Sequence, residues 1–131
     1  MMGEAHPRLL AAFHASTYHV GPLELRIGAR DAAMDRLLRQ HGVRAATLIG
    51  AWNPRSRLHP PGWNRHADRR LRGHLRHRSW IQATGGAGRW WEEHVLLLGD
   101  ARVALVLARR FRQRAVVVLR RGQRARLVVV R

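Results

Sequence analysis

The chain has 131 residues, enough for one domain with a core that needs no metal or disulfide. Its hydrophobic share of 46% is ordinary for a globular protein, and no apolar run approaches the roughly 18 residues of a membrane-spanning helix. It carries 25 basic against 8 acidic residues, for a net charge of +17, and no cysteine, which excludes disulfides and makes a cytoplasmic location the expectation.

The start, from Met1 to Pro7, has no basic segment followed by an apolar run and does not read as a secretory leader. A short helix is expected from Pro7 to His14, with Leu9, Leu10 and Phe13 as its apolar stripe. Two extended segments follow, Ser16 to Val20 and Leu23 to Ile27, joined by the turn dipeptide Gly21-Pro22 into a hairpin. Asp31 caps a second helix that runs to Gln40, where Gly42 supplies the left-handed stop. Ala45 to Trp52 is apolar without alternation, the mark of a strand covered on both faces, and Pro54 forces its exit from the sheet. After a stiff loop with Pro60 and Pro61, a helix is expected from about Trp63 to Arg76, with Trp63, Ala67, Leu71 and Leu75 along its inner face.

Trp80 to Thr84 and Trp91 to Leu98 read as strands joined by a flexible Gly85-Gly86-Ala87-Gly88 turn. Asp100 caps a helix through Phe111, and a last hairpin pairs Ala115 to Leu119 with Ala125 to Val130. This order predicts a single α+β domain spanning 1–131: a largely antiparallel mixed sheet with three to four helices packed on it.

All the basic residues of the +17 excess are Arg; there is no Lys, and Asn, Ile, Phe and Tyr are scarce. That is the pattern a GC-rich genome imposes, so much of the Arg content reads as codon drift on a solvated surface. The exceptions then carry information. The chain has only two Asn, Asn53 and Asn64, and they flank one Pro-rich loop.

The segment Ala51-Trp52-Asn53-Pro54-Arg55-Ser56, with Asn64 downstream, resembles a bacterial family catalogued as a domain of unknown function, number three-two-nine-three. Glu92 before an apolar strand and Phe111-Arg112-Gln113-Arg114-Ala115 at the last helix belong to the same resemblance, over roughly Leu9 to Val130. The resemblance supports the domain boundaries and the choice of residues, and implies no particular activity or cofactor. One departure is His94, where the family pattern has a small hydroxyl residue two positions after the acidic one.

Asn53, Ser56, Asn64 and Glu92 are the candidate ligand-binding residues, polar groups placed where a buried strand ends and a helix begins. Side-chain turns around Pro54 and a helix cap at Asn64 account for the same residues without a ligand. Glu92 and His94 are the candidate acid and base; spaced by two on a strand they share a face, and nearby carboxylates are expected to raise the His94 pKa. His74 and His77 lie three apart but lack the further ligands of a zinc site, so no metal and no cofactor is expected. The glycine run lacks the Gly-Lys-Ser/Thr ending of a phosphate loop.

The favoured function is binding, with or without turnover, of a small anionic or polar ligand at the Asn53 site. The alternative is a basic nucleic-acid-associated module using Arg and Trp, and a third class is a helper subunit pairing through the strand Leu127 to Val130.

Overall fold

The computed structural model describes residues 7–131, so the reading of the first six residues as lacking a leader lies outside it. In chain order the elements are α1 (Pro7–Ala15), β1 (Thr17–Val20), β2 (Leu23–Arg26), α2 (Ala32–Gln40), β3 (Ala45–Gly50), α3 (Pro61–His74), β4 (Trp80–Ala87), β5 (Trp90–Leu98), α4 (Ala101–Arg110), β6 (Ala115–Arg120) and β7 (Arg126–Val129). The strands form one seven-stranded sheet in the order β2-β1-β4-β5-β3-β6-β7, and every pairing is antiparallel. This is the expected α+β architecture.

Each face of the sheet carries its own apolar layer. On one face Ile49, Val95, Leu97, Val116 and Val118 pack against Leu71 and Leu75 of the α3 region and Leu107 and Phe111 of the α4 region. On the other, Tyr18, Leu48, Leu96, Val117 and Leu119 pack against Met34 and Leu38 of α2. Alternating residues of β3 feed both layers, and all six of its residues are buried. Leu38, Leu71 and Leu75 have no exposed surface, each stabilising the fold by roughly 1.5–3 kcal/mol.

Local chemistry sets the helix ends. The Asp31 carboxylate accepts from the amides of Ala33 and Met34, and Asp100 accepts from that of Arg102. α3 starts at Pro61, two residues before the expected Trp63, because a proline at the first helical position forfeits no hydrogen bond. Its buried stripe runs through Asn64, Ala67, Asp68 and Leu71. Trp63 was expected on the inner face, but it is 44% exposed and its ring leans on that of His59 at 4.3 Å.

The glycine run differs most from expectation. Gly85, Gly86 and Ala87 are strand residues of β4, paired with Glu92, Trp91 and Trp90 of β5. The turn is left to Gly88, at φ 56°, and Arg89. Among the described residues no helix is long and apolar enough to cross a membrane.

Candidate functional site

β3 runs out of the sheet at Ala51, and the chain turns at once into the left-handed region of backbone space. Asn53, Arg55 and Ser56 have φ of 48°, 58° and 58°. Each such conformation costs a non-glycine residue roughly 1–2 kcal/mol, with asparagine the most tolerant. The loop is braced across the molecule by the turn between α4 and β6, where Arg112 is also left-handed at φ 55°. The Arg55 amide donates to the Arg112 carbonyl at 2.7 Å, Arg114 Nε donates to the Arg55 carbonyl at 3.1 Å, and Gln113 Nε2 donates to the Trp52 carbonyl at 3.2 Å. The segment from Phe111 to Ala115, part of the family resemblance, is therefore the clamp on the Asn53 loop.

The two asparagines of the chain bond each other. The Asn53 amide donates to Asn64 Oδ1 at 2.9 Å, and Asn64 Nδ2 donates back to Asn53 Oδ1 at 3.0 Å and to the His59 carbonyl at 3.2 Å. Asn53 Oδ1 also accepts from the His59 amide at 2.9 Å, while Asn53 Nδ2 donates to Glu92 Oε2 at 2.8 Å. Each side chain must accept and donate at once, in a buried place where aspartate has no proton to give and serine is too short to reach both ways. That is a physical reason for asparagine at these two positions in a chain that has it nowhere else. Asn64 sits inside the first turn of α3 rather than capping it.

Glu92 lies on β5 and receives a second donor on the same oxygen, Trp90 Nε1 at 2.7 Å. Trp90, Glu92 and His94 alternate along β5 and project to one face, as the spacing of Glu92 and His94 predicted. His94 lies opposite Gly50 of β3, and its ring meets that of Tyr18 edge-on at 5.6 Å. Glycines make this floor possible. A Cβ at Gly85 would stand 2.7 Å from the Tyr18 ring and 3.2 Å from the His94 ring, and one at Gly50 would stand 3.2 Å from His94 Nε2. Glycine inside a strand here marks close approach of neighbours rather than a turn.

Burial lowers the His94 pKa below its ordinary 6.5, outweighing the Glu92 carbonyl at 3.2 Å and the charges of Glu92, Asp68 and Glu93, which raise it. The expected upward shift is thus reversed, because loss of hydration acts on the imidazolium more strongly than the carboxylates do. Burial, reinforced by the Glu92 charge, pushes the Tyr18 hydroxyl up to about 12.

These groups line a cleft of about 230 Å³. Asn53, Ser56, Glu92 and His94 all border it; Asn64 does not, and stands behind Asn53 as its support. Leu9, Phe13, Leu48, Val117 and Leu127 supply apolar walls. Leu58, 78% exposed, and Trp90, 46% exposed, flank the opening. Tyr18, Trp90, Gln113 and Arg114 also border the cleft and were not among the sequence candidates. For Trp90 a signal existed, its two-residue spacing from Glu92. His74 and His77 lie far along the chain from these groups, exposed, with His74 edge-on to Phe111 at 5.9 Å.

The arrangement covers the part of the chain that defines its family. The family described as "Protein of unknown function (DUF3293)" matches residues 49–116, just over half of the chain, and the protein belongs to it. The matched span is shorter than the resemblance read along the sequence, and it contains Asn53, Ser56, Asn64, Glu92, His94 and the Phe111 to Ala115 clamp. No curated protein and no solved structure matches the chain.

Proposed function

We propose that the cleft binds a small polar ligand against Asn53, Ser56 and Glu92, with Asn64 holding the loop in place. The observation that carries this reading is the convergence of two neutral donors, Asn53 Nδ2 and Trp90 Nε1, on one oxygen of Glu92 within apolar walls. A carboxylate fixed in this way keeps its other oxygen for a ligand, and mixed walls with a few placed polar groups are the usual make-up of a small-molecule site. Three left-handed residues in four positions support the same reading, since such strain collects where geometry serves binding. His94, which burial keeps neutral at physiological pH, borders the same cleft beside Glu92.

The test is a small-fragment screen read on the Trp90 indole N–H resonance. Saturable shifts at Trp90 and Asn53 are expected. If no fragment moves either, or if every binder moves only resonances on the α3–α4 face, the cleft is not the site. A second reading, a basic module associated with nucleic acid, rests on Arg65, Arg69, Arg70, Arg76 and Arg78, exposed along α3 and the turn after it, with Trp63 exposed beside them. Binding of single-stranded RNA or duplex DNA that survives physiological salt favours it; binding that vanishes leaves the Arg content as background.

A further inference from the structure

The ligand class follows from which partners Glu92 lacks. The chain holds 25 arginines against 8 acidic residues, yet among the described residues the ion pairs join Arg30 to Asp35, Arg72 to Asp68 and Glu93, and Arg102 to Asp100, and none includes Glu92. Glu93, one residue on and facing the other side of the sheet, is bonded by Gln82 and approached by Arg72 at 3.7 Å. Glu92 instead takes two uncharged donors on Oε2, and no described donor reaches Oε1. The arginine that lines the cleft, Arg114, has its Nε engaged by the Arg55 carbonyl and makes no ion pair with Glu92.

Of the titratable groups beside Glu92, His94 is kept neutral by burial and Tyr18 keeps its hydroxyl proton, while the Arg114 guanidinium borders the same cleft and is bonded to the Arg55 carbonyl. A half-buried carboxylate whose bonded partners among the described residues are neutral donors repels an anion and pairs with a cation that can also donate hydrogen bonds. The aromatic edge of the cleft suits the same guest. Trp90, Tyr18 and Phe13 border it, and the Trp90 indole is pinned by Glu92 itself, so a π-face and a carboxylate stand side by side. The surplus of arginines elsewhere does not cancel this, because charges beyond about 8 Å are largely screened at physiological salt.

We propose that the cleft recognises a ligand bearing a primary ammonium or guanidinium group attached to an apolar body, with the cation on Glu92 Oε1 and the body against Trp90, Phe13 and Leu9. This rests on the binding role proposed above. The test uses three probes of one shape, benzylamine, benzyl alcohol and benzoate, titrated at physiological salt while the Trp90 indole resonance is followed. Benzylamine is expected to bind most tightly. Glu92→Gln is expected to weaken benzylamine about 10- to 100-fold, the worth of a hydrogen bond to a charged group. Its side-chain carbonyl can still accept from Asn53 and Trp90 while its amide turns a donor outward, so benzoate should gain affinity in the same variant. Backbone amide shifts of Arg55 and Asn64, whose bonds to the Arg112 and Pro60 carbonyls do not involve Glu92, establish that the loop is intact when they match wild type in the unliganded variant. Preference for benzoate or benzyl alcohol in the wild type, or benzylamine binding untouched by Glu92→Gln, overturns the cationic class while leaving the cleft a binding site. Absence of any saturable shift with all three probes overturns both proposals.

Discussion

Replacing Asn64 by alanine tests whether the asparagine pair is what shapes the Asn53 loop. The substitution removes the acceptor of the Asn53 amide and the donor to Asn53 Oδ1 and the His59 carbonyl. Asn53 Oδ1 keeps its bond from His59, so the main loss is one buried amide without a partner, which costs about 1–3 kcal/mol, plus two weaker bonds of about 1 kcal/mol each. Alanine returns roughly 0.5 kcal/mol through its higher helix propensity, because Asn64 lies inside α3. The net expectation is a loss of about 2.5–4.5 kcal/mol, or a fall in Tm on the order of 10 °C for a domain of this size.

Asn64→Asp sharpens the measurement. It is the same shape and keeps an acceptor for the Asn53 amide, but sets a second oxygen against Asn53 Oδ1 and the His59 carbonyl. It should lose at least as much at pH 7 and recover part of the deficit in acid, where the new carboxyl regains a proton to donate. Chemical denaturation of the three proteins, with the Glu92 and Trp90 resonances followed in parallel, reads all of this. A loss under about 0.5 kcal/mol for Asn64→Ala would refute the pair as the loop's support.

Further outcomes follow from the same geometry. Asn53→Ala removes three side-chain bonds at a left-handed position, so chemical denaturation should show a loss of about 2–4 kcal/mol. Gly86→Ala places a Cβ 2.0 Å from the Trp90 carbonyl oxygen, and a destabilisation above about 3 kcal/mol, or failure to fold, is expected in expression and melting trials. Gly73→Ala meets nothing within 4 Å in the last turn of α3, and thermal melting should show a gain of about 0.5–1 kcal/mol. Because folding depresses the His94 pKa below 6.5, the unfolded chain binds the extra proton first, so stability should fall as pH drops through 6.5 toward the folded value and then level off. His94→Gln should flatten that part of the pH profile.

Elements with local signals could be read from the chain. Asp31 and Asp100 announce the starts of α2 and α4 by their side-chain oxygens alone, and Gly21-Pro22 announces the first hairpin. The buried run of β3 and the loop after it were equally plain, and so was the gathering of Asn53, Ser56 and Glu92 at that end of the sheet. What escaped depends on partners far along the chain. Gly85 and Gly86 look like turn residues until Tyr18 and Trp90 are found lying where their side chains would be. Trp63 fits a repeat of four, but four residues advance 400° around a helix. The drift carries Trp63 off the stripe and puts Asn64 on it, where its amide is satisfied by Asn53. His94 was judged by the carboxylates beside it in sequence, whereas the dominant influence on its proton is burial among residues of β1, β3 and β4.

The span shared with the family, 49–116, has a sharp relation to the cleft. Asn53, Asn64, Glu92, His94 and Gln113 fall inside it, while Leu9, Phe13, Tyr18 and Leu127 fall outside. The fold therefore sets the asparagine pair and Glu92, all within the matched span, against cleft walls supplied in part by the flanking segments α1, β1 and β7. Substitutions in those three segments can reshape the cleft without touching a bond of the asparagine pair or of Glu92.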